Sequence, residues 1–276
     1  QGAQGTMGIV TWASMRCEIL PSLEEPFLVG SSELDRLFEL THWLVRLRLV
    51  NECFVLNNTN LAAIMAKKWP VDYRDLKDAL PPWMVFFNVA GYHYFPEDRV
   101  SYQTKNILDI TQRLGVEPVK ALGGVSASEL LKVVQQPSAE PYWKLRYKGA
   151  SHDIFFLTIY DKLEGLIGVM NDLADKAGYP ASDMGVYIQP IVQGVSCHGE
   201  FNLFYNPKNS SELERVKELS TLAIKNLMAK GAFFSRPYGE NARMIINRDA
   251  ASVTVLTKVK KIFDPNNVMN PGKLCF

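Results

Sequence analysis

The sequence predicts an α+β fold in which two ferredoxin-like units form one large, mainly antiparallel sheet of about seven strands, with helices on one face. Three observations support this prediction. Strand patterns and helix patterns alternate along the 276 residues. The alternation occurs in two rounds, separated by a stretch of about 116–150 that is rich in glycine, proline and polar residues. Each round contains further strand patterns beyond one strand–helix–strand step, as split βαβ units do.

The first round begins with the strand pattern EEPFLVGSS. Apolar residues from Leu34 to Val45 then follow the 3.6-residue spacing of an amphipathic helix. The strand pattern ECFVLNN precedes a helix near 60–68 and a connection marked by prolines. The pattern WMVFFNVAGYH is typical of a buried strand, and it leads into a helix over about 98–114 that Gly115 ends.

The second round follows a short predicted helix at 127–135. The strand pattern DIFFLTIY leads into a helix that ends at Gly178, and Asp161 and Glu164 resemble a capping box at its start. The segment GVYIQPIVQGVSCHGEFNLFYN predicts a pair of strands, in which Pro190 indicates an edge or a bulge.

The helix after this strand pair is predicted to begin at a second capping box, formed by Ser211 and Glu214. The segment RPYGENARM separates it from the last long helical pattern. This segment contains two arginines, a tyrosine and a glutamate. The residues alone leave two interpretations of it open, a connecting loop and part of an active site.

Composition excludes several classes of protein. A net charge of +1, without a run of Lys or Arg, gives no surface for the phosphate backbone of nucleic acid. The four cysteines are scattered without a C-x-x-C pair, which fits a reducing cytoplasm better than a disulfide framework. No apolar run approaches the roughly 20 residues of a membrane span. The composition therefore predicts a soluble, cytoplasmic domain without a membrane span. We further expect a small-molecule substrate and self-association.

The N-terminal segment begins with a glycine-rich turn and runs directly into a strand pattern from Ile9 to Leu20. No earlier segment supplies a strand with which it could form a sheet. We therefore expect the chain to be the C-terminal part of a longer protein, or one piece of a two-piece protein.

Both ends of the chain resemble one family of flavoproteins. GTMGIVTWASMRCEILP is similar to the end of the FAD-binding domain in the vanillyl-alcohol oxidase and p-cresol methylhydroxylase superfamily. KKIFDPNNVMNPGKLCF resembles the terminal signature of the same proteins, including the glycolate oxidase and D-lactate dehydrogenase branch. The resemblance implies three parts: 1–20 as the end of the FAD-binding domain, 21–235 as the substrate or cap domain, and 236–276 as active-site loop, helix and C-terminal return to the flavin.

The resemblance also implies a reaction, in which a hydroxy acid or a phenolic or alcohol substrate loses a hydride to FAD. Such a site needs a base and groups that stabilise negative charge on oxygen. The segment RPYGENARM contains such groups. We expect Arg236 or Arg243 to bind an anion, Tyr238 to donate or relay a proton, and Glu240 to act as a base or to orient another group. We expect His198 on the same concave surface.

The segment SCHGEFNLFYN resembles the H-x-G-D-G-N-L-H stretch of metal-dependent D-2-hydroxy-acid dehydrogenases, with Glu240 in the place of their third ligand. The second histidine of that pattern is missing, because Phe204 or Tyr205 stands in its place. A divalent site needs about three protein ligands, and His198 with Glu240 supplies two. We therefore predict no metal here; His198 remains either a substrate contact, a proton acceptor or a packed histidine.

The resemblance implies that FAD is shared with a flavin-binding domain or subunit that this chain does not contain. Gly8, Ile9 and Val10 resemble residues whose backbone lies along the cofactor. Asn270 and Lys273 resemble the C-terminal return to the flavin ring, where a cation would stabilise the reduced, negative flavin. The alternative is an interaction module that has a cap-like fold without flavin chemistry.

Overall fold

The structure is a computed structural model that describes residues 2–136, 142–191, 194–238 and 242–276. The chain divides into two compact units. The larger unit spans Ile19–Ala232, and the smaller unit combines Gln1–Glu18 with Phe233–Phe276.

The larger unit contains most of the regular structure. Its strands are β1 (Leu23–Ser31), β2 (Glu52–Asn57), β3 (Trp83–Gly91), β4 (Ala121–Leu122), β5 (Val125–Ser126), β6 (Ala150–Thr158), β7 (Met184–Ile191) and β8 (Ser196–Tyr205). Its helices are α1 (Leu34–Arg46), α2 (Asn58–Met65), α3 (Val71–Ala79), α4 (Pro96–Leu114), α5 (Ala127–Gln135), α6 (Trp143–Arg146), α7 (Tyr160–Lys176) and α8 (Ser210–Ala229). The smaller unit contributes α9 (Ala242–Ile246) and α10 (Ala250–Phe263).

The predicted antiparallel sheet is confirmed. Within the described residues it has six strands in the order β1-β3-β2-β7-β8-β6, one fewer than the predicted number. All five strand pairs are antiparallel. The short strands β4 and β5 form a separate hairpin in the stretch between the two rounds.

The sheet consists of two halves with the same connectivity. In the first half, β1, β2 and β3 take the spatial order first, third, second. In the second half, β6, β7 and β8 take the same order. The halves join where β2 pairs with β7 through Val55–Ile188 and Leu56–Tyr187. This arrangement agrees with the duplicated α+β architecture that the sequence predicts.

The longer helices lie on one face of the sheet, as the contacts of Tyr160 show. Tyr160 of α7 packs against Phe38 and His42 of α1, and its hydroxyl interacts with Cys197 of β8. On the same face, α8 contacts β6 through the 2.8 Å hydrogen bond between His152 and Ser220. Side chains that alternate with Cys197 along β8 therefore point to the opposite face.

The opposite face is covered in the first half of the sheet by short helices. Phe54 and Leu56 of β2 pack there with buried residues of α2, α3 and α5. Tyr187 of β7 and Trp143 of α6 lie at the margin of this apolar cluster. In the second half, residues 154–158 of β6 and 197–201 of β8 alternate buried positions toward the long helices with half-buried positions on this opposite face. Further along β8, Asn202 and Phe204 are buried on the opposite face.

The prediction of a strand from Ile9 to Leu20 is wrong. Residues 8–21 form neither helix nor strand, and Ile9 and Leu20 expose more than four-fifths of their surface. A strand is stable only when another strand pairs with its backbone groups. No described strand pairs with this segment, so its β-branched residues do not produce a strand.

The sequence placed two helix starts slightly too late. Helix α8 begins at Ser210, and its cap is Asn209, whose side chain accepts hydrogen bonds from the backbone of Ser211 and Glu212. Helix α7 begins at Tyr160 without a side-chain cap. Pro190 lies in an interior strand, but beyond the two residue pairs that join β7 to β2. Its missing N–H therefore removes no bond of that ladder.

Candidate functional site

A row of polar side chains follows β8 on the face opposite the long helices. His198, Glu200 and Asn202 occupy alternate positions, so the pleat of the strand directs all three to one face. The residues that alternate with them, such as Phe201 and Leu203, are buried against the helices. This alternation explains why the segment forms a strand and why one of its faces is available for chemistry.

Lys144 of α6 connects this row to β6. Its ammonium donates to Asp153 Oδ2 at 2.6 Å and to Glu200 Oε1 at 2.5 Å. Asn202 Nδ2 donates to Asp153 Oδ1 at 2.7 Å and to Glu200 Oε1 at 2.6 Å. Asn60 of α2 extends the network, because its amide donates to Asn202 Oδ1 at 2.8 Å. We call these five residues the lysine network.

The lysine network is largely removed from solvent. The side chain of Lys144 is 11% exposed, and that of Glu200 is 16% exposed. Burial would raise the pKa of Glu200, but the hydrogen bond from His198 and the charge and hydrogen bonds of Lys144 together lower it to about 2. Burial would lower the pKa of Lys144, but Asp153 and Glu200 raise it. The ammonium of Lys144 and the carboxylate of Glu200 are therefore both charged at neutral pH.

His198 lies at the end of this network. Its Nε2 is 3.3 Å from Glu200 Oε2. The ring of Phe155 on β6 stacks on the imidazole at 6.1 Å and 27°. The ring of Tyr187 on β7 meets it edge-on at 5.9 Å and 62°. The imidazole is thus held by a carboxylate on its own strand and by one aromatic ring on each neighbouring strand.

A cavity of about 490 Å³ opens beside the lysine network. This volume is in the range of small-molecule sites. Apolar residues of β2, α2 and α5 line one part of it, and polar residues of the network line another. The lining includes Phe54, Leu56, Ile64, Leu130, Val133, Val134, Trp143, Asn60, Lys144, Arg146, Tyr187, Glu200 and Asn202. Such a surface suits a largely apolar molecule with one hydrogen-bonding group.

Sequence reasoning identified His198, but it missed Lys144, Asp153 and Asn60. Lys144 is 56 residues from Glu200, and Asn60 is 142 residues from Asn202. The alternation of polar residues in SCHGEFN was the available signal that one face of this strand is polar. Nothing in the local pattern indicates which distant groups complete it.

In the smaller unit, Lys260 of α10 joins the two ends of the chain. Its ammonium is buried, and it donates to the backbone oxygens of Thr6 at 2.5 Å and Met269 at 2.9 Å, and to the carboxylate of Asp264. The hydrogen bond from Lys260, together with backbone donors that include Met269, lowers the pKa of Asp264 to about 2. Asn270 adds a bond from its Nδ2 to Gln4 O at 2.6 Å.

These contacts bring the predicted flavin residues from both ends of the chain into one unit. Gly8, Ile9 and Val10 begin two residues after the anchored Thr6, and they are exposed. A Cβ added to Gly8 would meet nothing within 4 Å. Lys273 is exposed next to a turn that Gly272 N closes on Phe276 O at 2.9 Å. An open stretch of backbone and an exposed cation fit a negatively charged reduced flavin, so these residues suit the cofactor.

The segment RPYGENARM belongs to the smaller unit, and the structure describes part of it. Arg236 and Arg243 are exposed, and Tyr238 is 43% exposed. Gln4 Nε2 donates to the carbonyl of Pro237, which lies between Arg236 and Tyr238. Because Gln4 also accepts the Asn270 bond, this segment lies close to the C-terminal return.

Two expectations about this segment remain predictions. Glu240, with its neighbours at 239 and 241, lies outside the described residues. The expected common surface of Tyr238 with His198 joins residues of different units. Among the residues that the structure describes, no three His, Cys, Asp or Glu side chains are grouped as metal ligands. In the same residues, no helix is long and apolar enough to cross a bilayer.

Comparisons with known proteins support the resemblance to FAD-linked oxidases. Residues 239–274 match the family described as FAD linked oxidases, C-terminal domain. The sequence has no significant match among curated proteins.

Solved structures with a similar fold are p-cresol methylhydroxylase with substrate bound, 4-ethylphenol oxidase from Gulosibacter chungangensis in an isoeugenol complex, and alkyldihydroxyacetonephosphate synthase. The first is 12% identical with a TM-score of 0.71, over 93% of this chain and 53% of that one. The second is 16% identical with a TM-score of 0.73, over 92% and 54%. The third is 15% identical with a TM-score of 0.57, over 97% and 47%. The chain thus spans about half the length of each structure. The resemblance to the C-terminal part of FAD-linked oxidases is confirmed.

Proposed function

We propose that this chain is the substrate-binding part of an FAD-dependent oxidoreductase, which oxidises a phenolic or alcohol substrate or a hydroxy acid by hydride transfer. The match of residues 239–274 to FAD linked oxidases carries this proposal. Most contacts with FAD are assigned to a flavin-binding domain or subunit outside this chain. The residues Gly8 to Val10, with Asn270 and Lys273, are assigned to the remaining contacts.

The proposed roles follow from the charge that develops during oxidation. FAD, when bound, would supply the hydride acceptor. His198 accepts the proton of the substrate hydroxyl. Arg236 and Arg243 stabilise negative charge on the substrate through their guanidinium groups, and Tyr238 donates a hydrogen bond or relays a proton. Glu240 is assigned to orienting one of these groups.

The lysine network favours a phenolic or alcohol substrate. It contains two carboxylates, Asp153 and Glu200, and one ammonium, that of Lys144. A hydroxy acid placed beside Glu200 would add a third negative charge, whereas a hydroxyl group can donate a hydrogen bond. The solved structures named for p-cresol and 4-ethylphenol have the same fold. A second candidate, the 2-hydroxy acids, is favoured by Arg146, a cation in the lining of the cavity.

Anaerobic flavin reduction tests this proposal. The flavin-loaded protein would be mixed with para-alkylphenols, with simple alcohols or with 2-hydroxy acids, and loss of the oxidised flavin absorbance would be followed. Replacing Arg236 or Arg243 by alanine should slow reduction by about 10²- to 10³-fold, as loss of an anion-stabilising donor does. Replacing Arg113, at the end of α4, by alanine is the matched control and should leave the rate unchanged.

The same measurement separates catalysis from the alternative of a non-catalytic module. An enzyme shows visible flavin absorbance that a substrate bleaches. A native preparation without flavin, or a flavin that no tested class of substrate reduces, would contradict the proposed oxidoreductase and favour the interaction module. Normal reduction rates in both arginine variants would remove the assigned roles of Arg236 and Arg243.

A further inference from the structure

In the hydrogen bond between His198 and Glu200, the imidazole donates and the carboxylate accepts. The pKa of Glu200 is about 2, so its carboxylate is ionised at neutral pH and can only accept hydrogen bonds. The nearest imidazole atom to Glu200 Oε2 is Nε2, at 3.3 Å. An ionised carboxylate favours a proton on the nitrogen that faces it. In neutral imidazole this leaves Nδ1 as the acceptor.

Lys144 makes this charge on Glu200 possible. Asp153 and Glu200 both bind the same ammonium, at 2.6 and 2.5 Å, and both also accept from Asn202. The ammonium between the two carboxylates offsets their mutual repulsion and helps to lower the pKa of Glu200. The short helix α6 presents Lys144 from outside the sheet, and Trp143 and Tyr147 at its ends pack against Phe204. The position of Lys144 is therefore set by aromatic packing as well as by charge.

The aromatic neighbours of His198 restrict a change of its orientation. Phe155 stacks on the imidazole, and Tyr187 meets it edge-on. The hydroxyl of Tyr187 donates to Gln189 at 2.9 Å, which fixes that ring in turn. A rotation of the imidazole that placed Nδ1 instead of Nε2 next to Glu200 would require both rings to move.

We propose that Lys144 and Glu200 are positioning residues, which fix His198 as the Nε2–H tautomer so that Nδ1 accepts the proton of the substrate hydroxyl. This inference rests on the proposed function. In the reaction, the hydroxyl O–H bond breaks and its proton passes to Nδ1. The C–H bond breaks at the reacting carbon, and its hydrogen leaves with the electron pair as hydride to FAD. The substrate loses two electrons and FAD gains them.

Nitrogen NMR of the imidazole tests the positioning directly. The flavin-loaded protein would carry ¹⁵N only in its histidine rings, and the His198→Gln variant would assign the resonances among the four histidines. At a pH where the ring is neutral, His198 should show Nε2 protonated and Nδ1 unprotonated. Glu200→Gln should produce a mixture of tautomers, since an amide both donates and accepts.

Two lysine variants isolate the role of Lys144. Lys144→Met should also produce mixed tautomers, and Lys144→Arg should restore the wild-type spectrum because it keeps the cation. Lys148→Met is the matched control: Lys148 pairs with Asp183 at 2.8 Å, without a contact to Glu200 among the described bonds. It should leave the His198 tautomer unchanged. Glu200→Gln keeps size and shape, so it tests the proposal if Lys144→Met fails to fold.

Flavin reduction supplies the second readout. Glu200→Gln should slow reduction by about 10²-fold, the lower end of the range for general bases. The proposal is overturned if wild-type His198 carries its proton on Nδ1, or if Glu200→Gln leaves the tautomer unchanged. It is also overturned if the tautomer changes while the reduction rate does not. Failure of every substrate to reduce wild-type flavin would instead contradict the proposed function, and the tautomer measurement would still decide whether Lys144 and Glu200 position His198.

Discussion

Replacing Glu200 by glutamine should remove a defined part of the protein's sensitivity to acid. The pKa of Glu200 falls in the folded protein from its ordinary value of 4.5 to about 2. A difference of this size corresponds to about 3 kcal/mol of stability at neutral pH. The carboxylate is little exposed, so solvent screens this term weakly.

The sign follows from the lowered pKa. Because the unfolded state binds a proton more readily than the folded state, this stability is present above pH 5 and is lost as the pH falls toward 2. About 2 kcal/mol of it should be gone at pH 3. Wild type should therefore lose about 2 kcal/mol more than Glu200→Gln between pH 7 and pH 3.

Urea unfolding at pH 7, 5, 4 and 3, followed by tryptophan fluorescence, measures this difference. Glu164→Gln, on the exposed side of α7, is the control and should follow the wild-type curve. The reasoning is refuted if the free energies of unfolding of wild type and Glu200→Gln fall in parallel between pH 7 and pH 3. Such a result would mean that Lys144 and Asn202 do not hold Glu200 ionised in the folded protein.

Three further changes, the first with a matched control, test the packing. Gly185→Ala should lower the free energy of unfolding in urea by about 1–3 kcal/mol, because its Cβ would lie 1.9 Å from Asn60 Oδ1. Its control is Gly165→Ala, on exposed helix surface with nothing within 4 Å, which should raise that free energy by about 0.5–1 kcal/mol. Phe201→Ala should cost about 3–5 kcal/mol, since the ring is buried, and a loss under 1 kcal/mol would contradict its place in the core. Lys260→Met should speed proteolysis within residues 2–18, because it removes the bond to Thr6; an unchanged cleavage rate there would show that this bond does not anchor the segment.

Most of the helices and strands could be predicted from the sequence, because hydrophobic periodicity and the residues that end a helix are local features. The helix that ends at Gly115 was predicted from apolar spacing and a glycine, and the structure shows Gly115 in the left-handed cap conformation with φ of 65°. The short helix α5 was predicted with its observed limits. The duplicated arrangement of the sheet could also be predicted, because the same order of elements occurs twice.

Sequence reasoning failed where structure depends on partners. The segment from Ile9 to Leu20 has strand composition, but pairing decides whether a strand forms, and composition does not reveal pairing. The start of α8 was misplaced because Asn209, Ser211 and Glu212 all suit a helix start, and the local pattern does not choose among them.

The site was predictable only in part for the same reason. His198 was identified because the segment SCHGEFNLFYN resembles the H-x-G-D-G-N-L-H stretch of a known family. Lys144 was not, because it lies in a four-residue helix without an apolar period, and its role comes from contacts with Asp153 and Glu200. A buried network of charges is a tertiary property, and each of its members resembles a surface residue when the sequence is considered alone.

The two halves of the sheet share their connectivity but use one face differently, and this difference explains where the site lies. The third strand of the first half, β3, directs Met84 and Phe86 into the apolar cluster under α2 and α5. Its counterpart β8 directs His198 and Glu200 to the same face, where Lys144 is the cation that meets them. A long apolar helix over these residues would leave their polar atoms without partners, at a cost of several kcal/mol. In the second half the short helix α6 takes that place, where Lys144 supplies a partner for Glu200, and the cavity lies beside this network.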